Sequence, residues 1–113
     1  PEFKNKVASS SMTVPVPDGS TVDLTIDLEK ETSIQEINEL IEDLSNNTLK
    51  DIIGITYDPI VSSDVVRSTL SGLVDGLATM GINNKKIKLI IWFDNGWGYA
   101  ARIIDTLNKL DME

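Results

Sequence analysis

The chain has 113 residues and a formal net charge of −8, with ten lysines and arginines against eighteen acids. One domain is expected at this length, and the acidic balance excludes the basic surface that binding to nucleic acid or an anionic membrane requires. The chain contains no cysteine and no histidine, which excludes disulfides, zinc sites of the usual kind, and catalysis by a Ser–His or Cys–His pair. Catalysis by this chain alone would need carboxylates, lysine, tyrosine or carboxylate-bound magnesium. No spacing supports any of these, so we predict no catalytic residue and no metal site.

Residues 1–11 are predicted to lie outside the folded domain. Pro1-Glu2-Phe3 resembles the remnant of a cloning site, and the polar, serine-rich segment after it predicts a flexible arm. Residues 12–113 are predicted to form a single domain, in which two prolines restrict Met12–Pro17 to extended backbone at a sheet edge. No apolar run is long enough to cross a membrane and no signal-peptide pattern is visible, so a cytoplasmic location is expected.

A strand and a helix follow the Asp18-Gly19 turn signal. Apolar and polar residues alternate strictly from Thr21 to Leu28, which predicts a half-buried strand. Ser33–Leu44 is predicted to be an amphipathic helix, because Ser33 and Glu36 have the spacing of a capping box. Its apolar face carries Ile34, Ile37, Leu40, Ile41 and Leu44.

The central part of the chain gives weaker signals. A short strand is predicted at Ile52–Tyr57, where Asp58-Pro59 ends it. Ile60–Val66 is predicted to be extended, with an interruption at Ser62-Ser63-Asp64. Leu70–Met80 fits either a helix or a strand; its two glycines weaken the helix, and we favour the strand. Gly81–Lys85 is predicted to be a loop.

The C-terminal part gives a strand and a second helix. Ile87–Phe93 is a continuous β-rich run, which predicts a strand buried on both faces. A helix is predicted from Tyr99 to Leu110, with Tyr99, Ile103, Leu107 and Leu110 along one side. Two helices and about five strands predict an α+β fold, with a mainly antiparallel sheet and the helices packed on one of its faces.

The segment that joins this strand to this helix has two interpretations. Asp94-Asn95-Gly96 has the composition of a well-made turn. It lies between Trp92 and Trp97, however, and an amide side chain there can donate and accept at once, which suits a carboxamide ligand. The spacing alone favours the structural role and leaves the binding role open.

Three other groups of residues are interpreted as structural. The Ser62-Ser63-Asp64 segment suits a turn or a helix cap, because no histidine can activate either serine. The carboxylates between Asp27 and Asp43 lack the spacing of a calcium loop and indicate a solvated face. The lysines at 85, 86 and 88 flank and solubilise the strand beside them.

Several motifs, in order along the chain, resemble the glyceraldehyde-3-phosphate dehydrogenase family. Val14–Pro17 with Val22–Thr25, and Leu49–Tyr57 with the Asp58–Asp64 segment, are similar to consecutive family segments. Trp92–Tyr99 is similar to the family sequence Trp-Tyr-Asp-Asn-Glu-Trp-Gly-Tyr. The resemblance covers about Thr13 to Leu110 and corresponds only to the C-terminal part of the family's catalytic domain. The Rossmann domain and the catalytic cysteine and histidine segments of the family have no counterpart here.

The resemblance implies roles for three residues. Asn95 corresponds to the asparagine that hydrogen-bonds the nicotinamide carboxamide of NAD, and Tyr99 to a tyrosine packed near that ring. Thr13 occupies the position of an arginine that binds substrate phosphate, and a threonine lacks its charge and its bidentate geometry. Gly96 replaces a family glutamate, and Arg67 replaces a family glycine.

The resemblance implies an inactive domain whose function depends on other protein surfaces. The parent reaction, the NAD-linked oxidation and phosphorylation of an aldehyde, needs a thiolate and an imidazole. We therefore expect no activity and no cofactor for the isolated chain, and a structural or protein-interaction role. Self-association or a dehydrogenase-like partner chain is expected. The alternative is a complementing half that restores a dehydrogenase together with a separate cofactor domain.

Overall fold

The computed structural model describes residues 1–110 and Met112 of the chain. Within these residues the chain forms five strands, two α-helices and one 3-10 helix. In chain order they are β1 (Ser20–Asp27), α1 (Ile34–Asn46), β2 (Ile53–Thr56), the 3-10 helix (Ser62–Val65), β3 (Gly72–Asp75), β4 (Met80–Ile82), β5 (Lys86–Phe93) and α2 (Asn95–Leu110).

All five strands belong to one mixed sheet. The strand order is β1-β5-β3-β2, and β4 pairs with a further part of β5. The pairs that involve β5 are antiparallel, whereas β2 and β3 run parallel. The predicted α+β class with a mainly antiparallel sheet is therefore confirmed, with one parallel pair at the β2 edge.

The β1–β5 pair sets the two faces of the sheet. Cross-strand partners share a face, so Leu24 and its partner Leu89 lie on the first face, and Asp23 and its partner Ile90 on the second. On the second face two ion pairs, Asp23–Lys88 and Asp27–Lys86, link the two strands. The strand predicted from the alternation at Thr21–Leu28 is confirmed, but its apolar face is less covered than predicted, since Leu24 remains 38% exposed.

Helix α1 begins at the predicted capping box. The backbone N–H of Glu36 donates to Ser33 Oγ at 3.1 Å, and that of Ser33 donates to Glu36 Oε2 at 2.8 Å. Hydrogen bonds to the charged carboxylate, chiefly from the Ser33 backbone, lower the pKa of Glu36. A Cβ built at Gly81 would lie 3.5 Å from Ile34 Cγ1 of α1 and 3.3 Å from Ile87 Cδ1 of β5. Since Ile87 points to the first face, the start of α1 lies over that face.

A buried polar cluster fixes α1 to the loop between β3 and β4. Asn38, which is 8% exposed, donates from Nδ2 to the Gly76 carbonyl oxygen at 3.1 Å. Thr79, which is 6% exposed, donates from its hydroxyl to Asn38 Oδ1 at 2.8 Å. Both polar side chains are thus satisfied by each other and by the backbone, as buried groups must be.

Three predictions for the central segments need correction. The extended conformation predicted for Ile60–Val66 is found at Val61 but does not resume before Val66, because the interruption predicted at Ser62–Asp64 is a 3-10 helix in which the Asp64 carboxylate accepts the Val61 N–H at 2.7 Å. The strand favoured over Leu70–Met80 is limited to Gly72–Asp75, where Asp75 Oδ1 then accepts two backbone N–H groups and turns the chain. The loop predicted at Gly81–Lys85 begins late, since Gly81 and Ile82 belong to β4.

The prediction that Ile87–Phe93 is buried on both faces is also wrong. Of β5 only Ile87 is fully buried, at 1% exposure, and the residues from Lys88 to Phe93 are only partly buried. Within the described part of the chain, four apolar residues are buried, namely Ile41, Val65, Val74 and Ile87. The radius of gyration is 15.4 Å, larger than the ~13 Å typical of a 100-residue domain. The described chain is therefore a sheet with a thin core and much uncovered apolar surface.

Helix α2 begins at Asn95, ahead of the predicted start at Tyr99. It docks on the segment before β3, where a Cβ built at Gly98 would lie 2.8 Å from the Leu70 carbonyl oxygen. The predicted apolar line does form, but its members Tyr99, Ile103, Leu107 and Leu110 are between 46% and 71% exposed. No described helix is both long and apolar enough to cross a membrane.

Candidate functional site

The start of α2 is held by the carboxylate of Asp94. Oδ1 accepts the backbone N–H of Trp97 at 2.9 Å, the bond that an N-cap residue makes to the first turn of a helix. Oδ2 accepts the backbone N–H of Arg67 at 2.8 Å. The turn predicted at Asp94–Gly96 is therefore wrong: Asp94 is the cap, and Asn95 and Gly96 are the first two helical residues.

Burial and hydrogen bonds define the charge state of Asp94. The side chain is 2% exposed. The backbone N–H of Trp97, followed by that of Arg67, lowers its pKa below the ordinary value of 3.8, because both bonds stabilise the charged form. The Asp18 side chain lies close enough to Asp94 to influence its pKa, so the end of the segment before β1 meets the start of α2 here.

The partner turn contains a residue in an unfavourable backbone conformation. Arg67 has φ of +66°, in the left-handed region that glycine adopts without strain. This explains physically why the resembling family has a glycine at this position. The backbone N–H of Arg67 points to Asp94 Oδ2 in this conformation, so the strained turn and the helix cap support each other.

Asn95 and Tyr99, the predicted cofactor-contact residues, lie on the same side of α2. They are four positions apart, which places their side chains one above the other on the helix. Both are exposed, Tyr99 by 71%. They line a cavity of about 250 Å³ together with Ser71, Phe93, Asp94, Gly98 and Arg102. Complete ligand pockets usually measure about 300–1,000 Å³. This open cavity is smaller than that, as expected of one part of a larger site.

Arg102 fixes the floor of this cavity. Its Nη1 donates to Ser71 Oγ at 2.9 Å, its Nη2 to the Asp51 carbonyl oxygen at 3.3 Å, and its Nε to Asp105 Oδ2 at 2.8 Å. The guanidinium thus joins α2 to the segments that lead into β2 and β3. Because its charge is paired with Asp105, it holds the helix in place and is not free for an anionic ligand.

Thr13, at the position predicted for substrate phosphate, lies apart from these residues in the chain. It is exposed and belongs to the irregular segment before β1. That segment reaches the site at its far end, where Asp18 contacts Asp94 and a Cβ built at Gly19 would lie 2.5 Å from the Ser62 carbonyl oxygen. Among the described residues no cluster of three or more potential metal ligands occurs.

Sequence reasoning missed the residues that position the site. An aspartate directly before a helical pattern is a preferred N-cap, so the role of Asp94 could have been inferred from its position. Neither the pairing of Asp94 with Arg67, across 27 positions of the chain, nor the bonds of Arg102 to Ser71 and Asp51 leave a local pattern in the sequence. These contacts depend on how the sheet brings distant segments together.

The chain is thus an α+β sheet domain in which a capped helix follows the central strand directly. The family model of the glyceraldehyde 3-phosphate dehydrogenase C-terminal domain matches residues 1–95. The chain belongs to this family.

Curated relatives agree with this membership. The chain is 46% identical to the glyceraldehyde-3-phosphate dehydrogenase of Borreliella burgdorferi, over 97% of this chain and 33% of the relative. It is 40% identical to that of Geobacillus stearothermophilus, over 93% and 31%. It is 38% identical to the cytosolic enzyme of Antirrhinum majus, over 95% and 32%. The chain thus spans about a third of the length of the curated relatives it matches.

Proposed function

We propose that this chain is a C-terminal catalytic-domain segment of a glyceraldehyde-3-phosphate dehydrogenase that is inactive alone and functions by contact with other protein surfaces. The parent activity is the NAD-linked oxidation and phosphorylation of an aldehyde. The 113 residues contain no cysteine and no histidine, so they supply neither the thiolate nor the imidazole for that reaction. A role in glycolysis and a cytoplasmic location accompany this proposal.

The observation that carries the proposal is the uncovered apolar side of α2. Ile103, Leu107 and Leu110 are 46%, 55% and 63% exposed, and the first two line a groove of about 260 Å³ with Tyr99. An amphipathic helix normally buries such a stripe, and a contiguous exposed apolar patch usually marks a protein contact. This helix therefore has the surface of an element that packs against another chain or domain.

In this proposal Asn95 and Tyr99 form the nicotinamide wall of an NAD site that other residues complete. The Asn95 side chain can donate to and accept from a carboxamide, and the Asp94 cap and the Arg102 bonds hold its helix turn. Thr13 offers no charge at the position proposed for substrate phosphate, so we expect weak recognition of a phosphorylated substrate.

Two measurements test the inactive domain. The purified chain should reduce no NAD in the presence of glyceraldehyde 3-phosphate and phosphate. A titration with NAD, followed by the fluorescence of the two tryptophans, should show no saturable binding. Micromolar affinity or aldehyde-dependent reduction of NAD would contradict the proposal.

The alternative function is a complementing half of a split dehydrogenase. The chain can be mixed with a separately produced segment that carries the rest of the Borreliella burgdorferi relative. Restored NAD reduction that is lost with Asn95→Ala but kept with the exposed control Asn108→Ala would favour the alternative. Association without activity would favour the interaction module, and the reading frame upstream of the coding sequence would show whether a cofactor domain belongs to the same protein.

A further inference from the structure

We propose that Asn95 is a deamidation site of this chain and that the first turn of α2 gates the reaction. The chain has eight asparagines, and Asn95 is the one that precedes a glycine. It is exposed and occupies the first position of α2. The site thus combines a reactive dipeptide with a helix end, where backbone hydrogen bonding is incomplete.

The reaction needs only water. The backbone nitrogen of Gly96, after losing its proton, attacks the side-chain carbonyl carbon Cγ of Asn95. A new N–C bond forms, the bond from Cγ to the amide nitrogen breaks, and ammonia leaves with the proton. The resulting succinimide takes up one water molecule and opens to aspartate or isoaspartate, with no change of oxidation state.

Glycine at position 96 leaves the attacking nitrogen unshielded. A Cβ built at Gly96 would meet Asp94 Oδ1 at 3.5 Å, an ordinary contact, and otherwise faces open space. No side chain therefore crowds the attack. The resembling family motif has a glutamate at this position, and its Cβ and side chain would lie next to the attacking nitrogen.

The folded helix opposes the same reaction. Ring closure requires Asn95 to leave the helical conformation, because the helix holds Cγ away from the Gly96 nitrogen. The Gly96 N–H also contributes to lowering the pKa of Asp94, so it lies close to that carboxylate. A neighbouring negative charge disfavours loss of the N–H proton. Deamidation therefore proceeds through local opening of the first turn, which Asp94 restrains.

The consequence rests on the proposed function of Asn95. Deamidation replaces the amide by a carboxylate, which accepts hydrogen bonds but cannot donate one to the oxygen of a carboxamide. The isoaspartate product also adds a carbon to the backbone at the first helical position. Either product would remove the polar group proposed to contact nicotinamide.

The test is incubation of the full chain at mildly alkaline pH, followed by peptide mapping with mass spectrometry. We expect conversion at Asn95 to precede conversion at Asn5, which is exposed in an irregular segment. Asp94→Ala should raise the rate at Asn95 several-fold, and Gly96→Ala, whose Cβ the structure accommodates, should suppress it. Conversion at Asn5 before Asn95, or equal rates at Asn95 in the Gly96→Ala and unsubstituted chains, would overturn the proposal.

The functional consequence has a separate readout. Native and deamidated chains can be compared for NAD affinity in the mixture with the rest of the relative. A lower affinity after deamidation supports the consequence. Equal affinity would refute the role of Asn95 in cofactor contact. It would not affect the assignment of the modification site, which rests on the mass change alone.

Discussion

The carboxylate of Asp94 joins the backbone of Arg67 to the start of α2, across 27 positions of the chain. One oxygen caps the helix at Trp97 and the other accepts the N–H of the strained Arg67 turn. One buried side chain thus sets the geometry of two segments that meet beside Asn95. The stability of this junction is expected to depend on the charge of that side chain.

Replacement of Asp94 by Asn should change the response to acid. The folded-state pKa of Asp94 is lowered from 3.8, so its stabilising contribution is complete above that value and is lost as the pH falls through the folded value. Asp94→Asn should be less stable than the unsubstituted chain near neutral pH, with a difference that shrinks as the pH falls below 3.8. Urea unfolding across this range measures it, with Asp18→Asn as the control for the neighbouring carboxyl. A difference that stays constant with pH would contradict the prediction.

Replacement of Arg67 by Gly should stabilise the chain. A non-glycine residue in the left-handed region is unfavourable by about 1–2 kcal/mol, and the greater freedom of glycine in the unfolded chain offsets about 0.4–1 kcal/mol of this. We expect a net gain of roughly 0.5–1 kcal/mol in the free energy of unfolding. Arg67→Ala removes the same side chain and keeps the strain, so equal gains in the two variants would show that φ is not the cause.

The two glycines of the first turns of α2 should respond to alanine with opposite signs. At Gly98 the new Cβ would lie 2.8 Å from the Leu70 carbonyl oxygen, and the helix must shift, at roughly 1–3 kcal/mol. At Gly96 the Cβ fits, and the higher helix propensity of alanine should stabilise by up to about 1 kcal/mol. Urea unfolding of both variants gives the comparison, and a stabilising Gly98→Ala would show that α2 does not dock on Leu70.

The buried pair of Asn38 and Thr79 should act as a unit. Thr79→Val leaves Asn38 Oδ1 without its donor and should destabilise by about 1–3 kcal/mol. The double variant with Asn38→Leu should lose less than the sum of the two single losses, because both partners are then apolar. Gln35→Ala, which removes an exposed hydrogen bond to Glu39, is the control and should change stability by less than about 0.5 kcal/mol. Strict additivity would argue against a shared network.

The apolar side of α2 should drive self-association of the isolated chain. Leu107→Lys places a charge in the exposed apolar line and should shift sedimentation towards monomer. Asn108→Lys introduces a lysine at the next position of the same helix and should leave association unchanged. Analytical ultracentrifugation of the three proteins separates the outcomes. A strict monomer at high concentration without any substitution would contradict the interaction surface.

The elements with local signals were predictable from the sequence. The spacing of Ser33 and Glu36 located the start of α1, and the alternation after Thr21 located β1, because both patterns depend on neighbouring residues. A turn or cap was predicted at Ser62-Ser63-Asp64, but its form as a 3-10 helix was not, since that form depends on the single bond from the Val61 N–H to the Asp64 carboxylate.

The burial of β5 and the site geometry were less predictable for a different reason. A continuous apolar run such as Ile87–Phe93 indicates a strand suited to burial on both faces. The pattern does not say whether the elements that cover those faces belong to the described part of this chain. The cofactor-contact roles of Asn95 and Tyr99 came from a family resemblance, and they remain predictions. The contacts that hold these residues in place, through Asp94 and Arg102, join segments too distant in sequence for a pattern to reveal them.

The outer edge of β1 has a consequence for how copies of this chain can meet. Its eight residues pair with β5 on one side, and no other described strand pairs with the opposite side, so that side offers a template for another strand. A second copy that added antiparallel, centred on Thr25, would place Asp23 of each strand directly opposite Asp27 of the other. Like charges in directly opposed positions repel. In that register, the two carboxylates that pair with lysines of β5 would therefore oppose the addition of an identical strand.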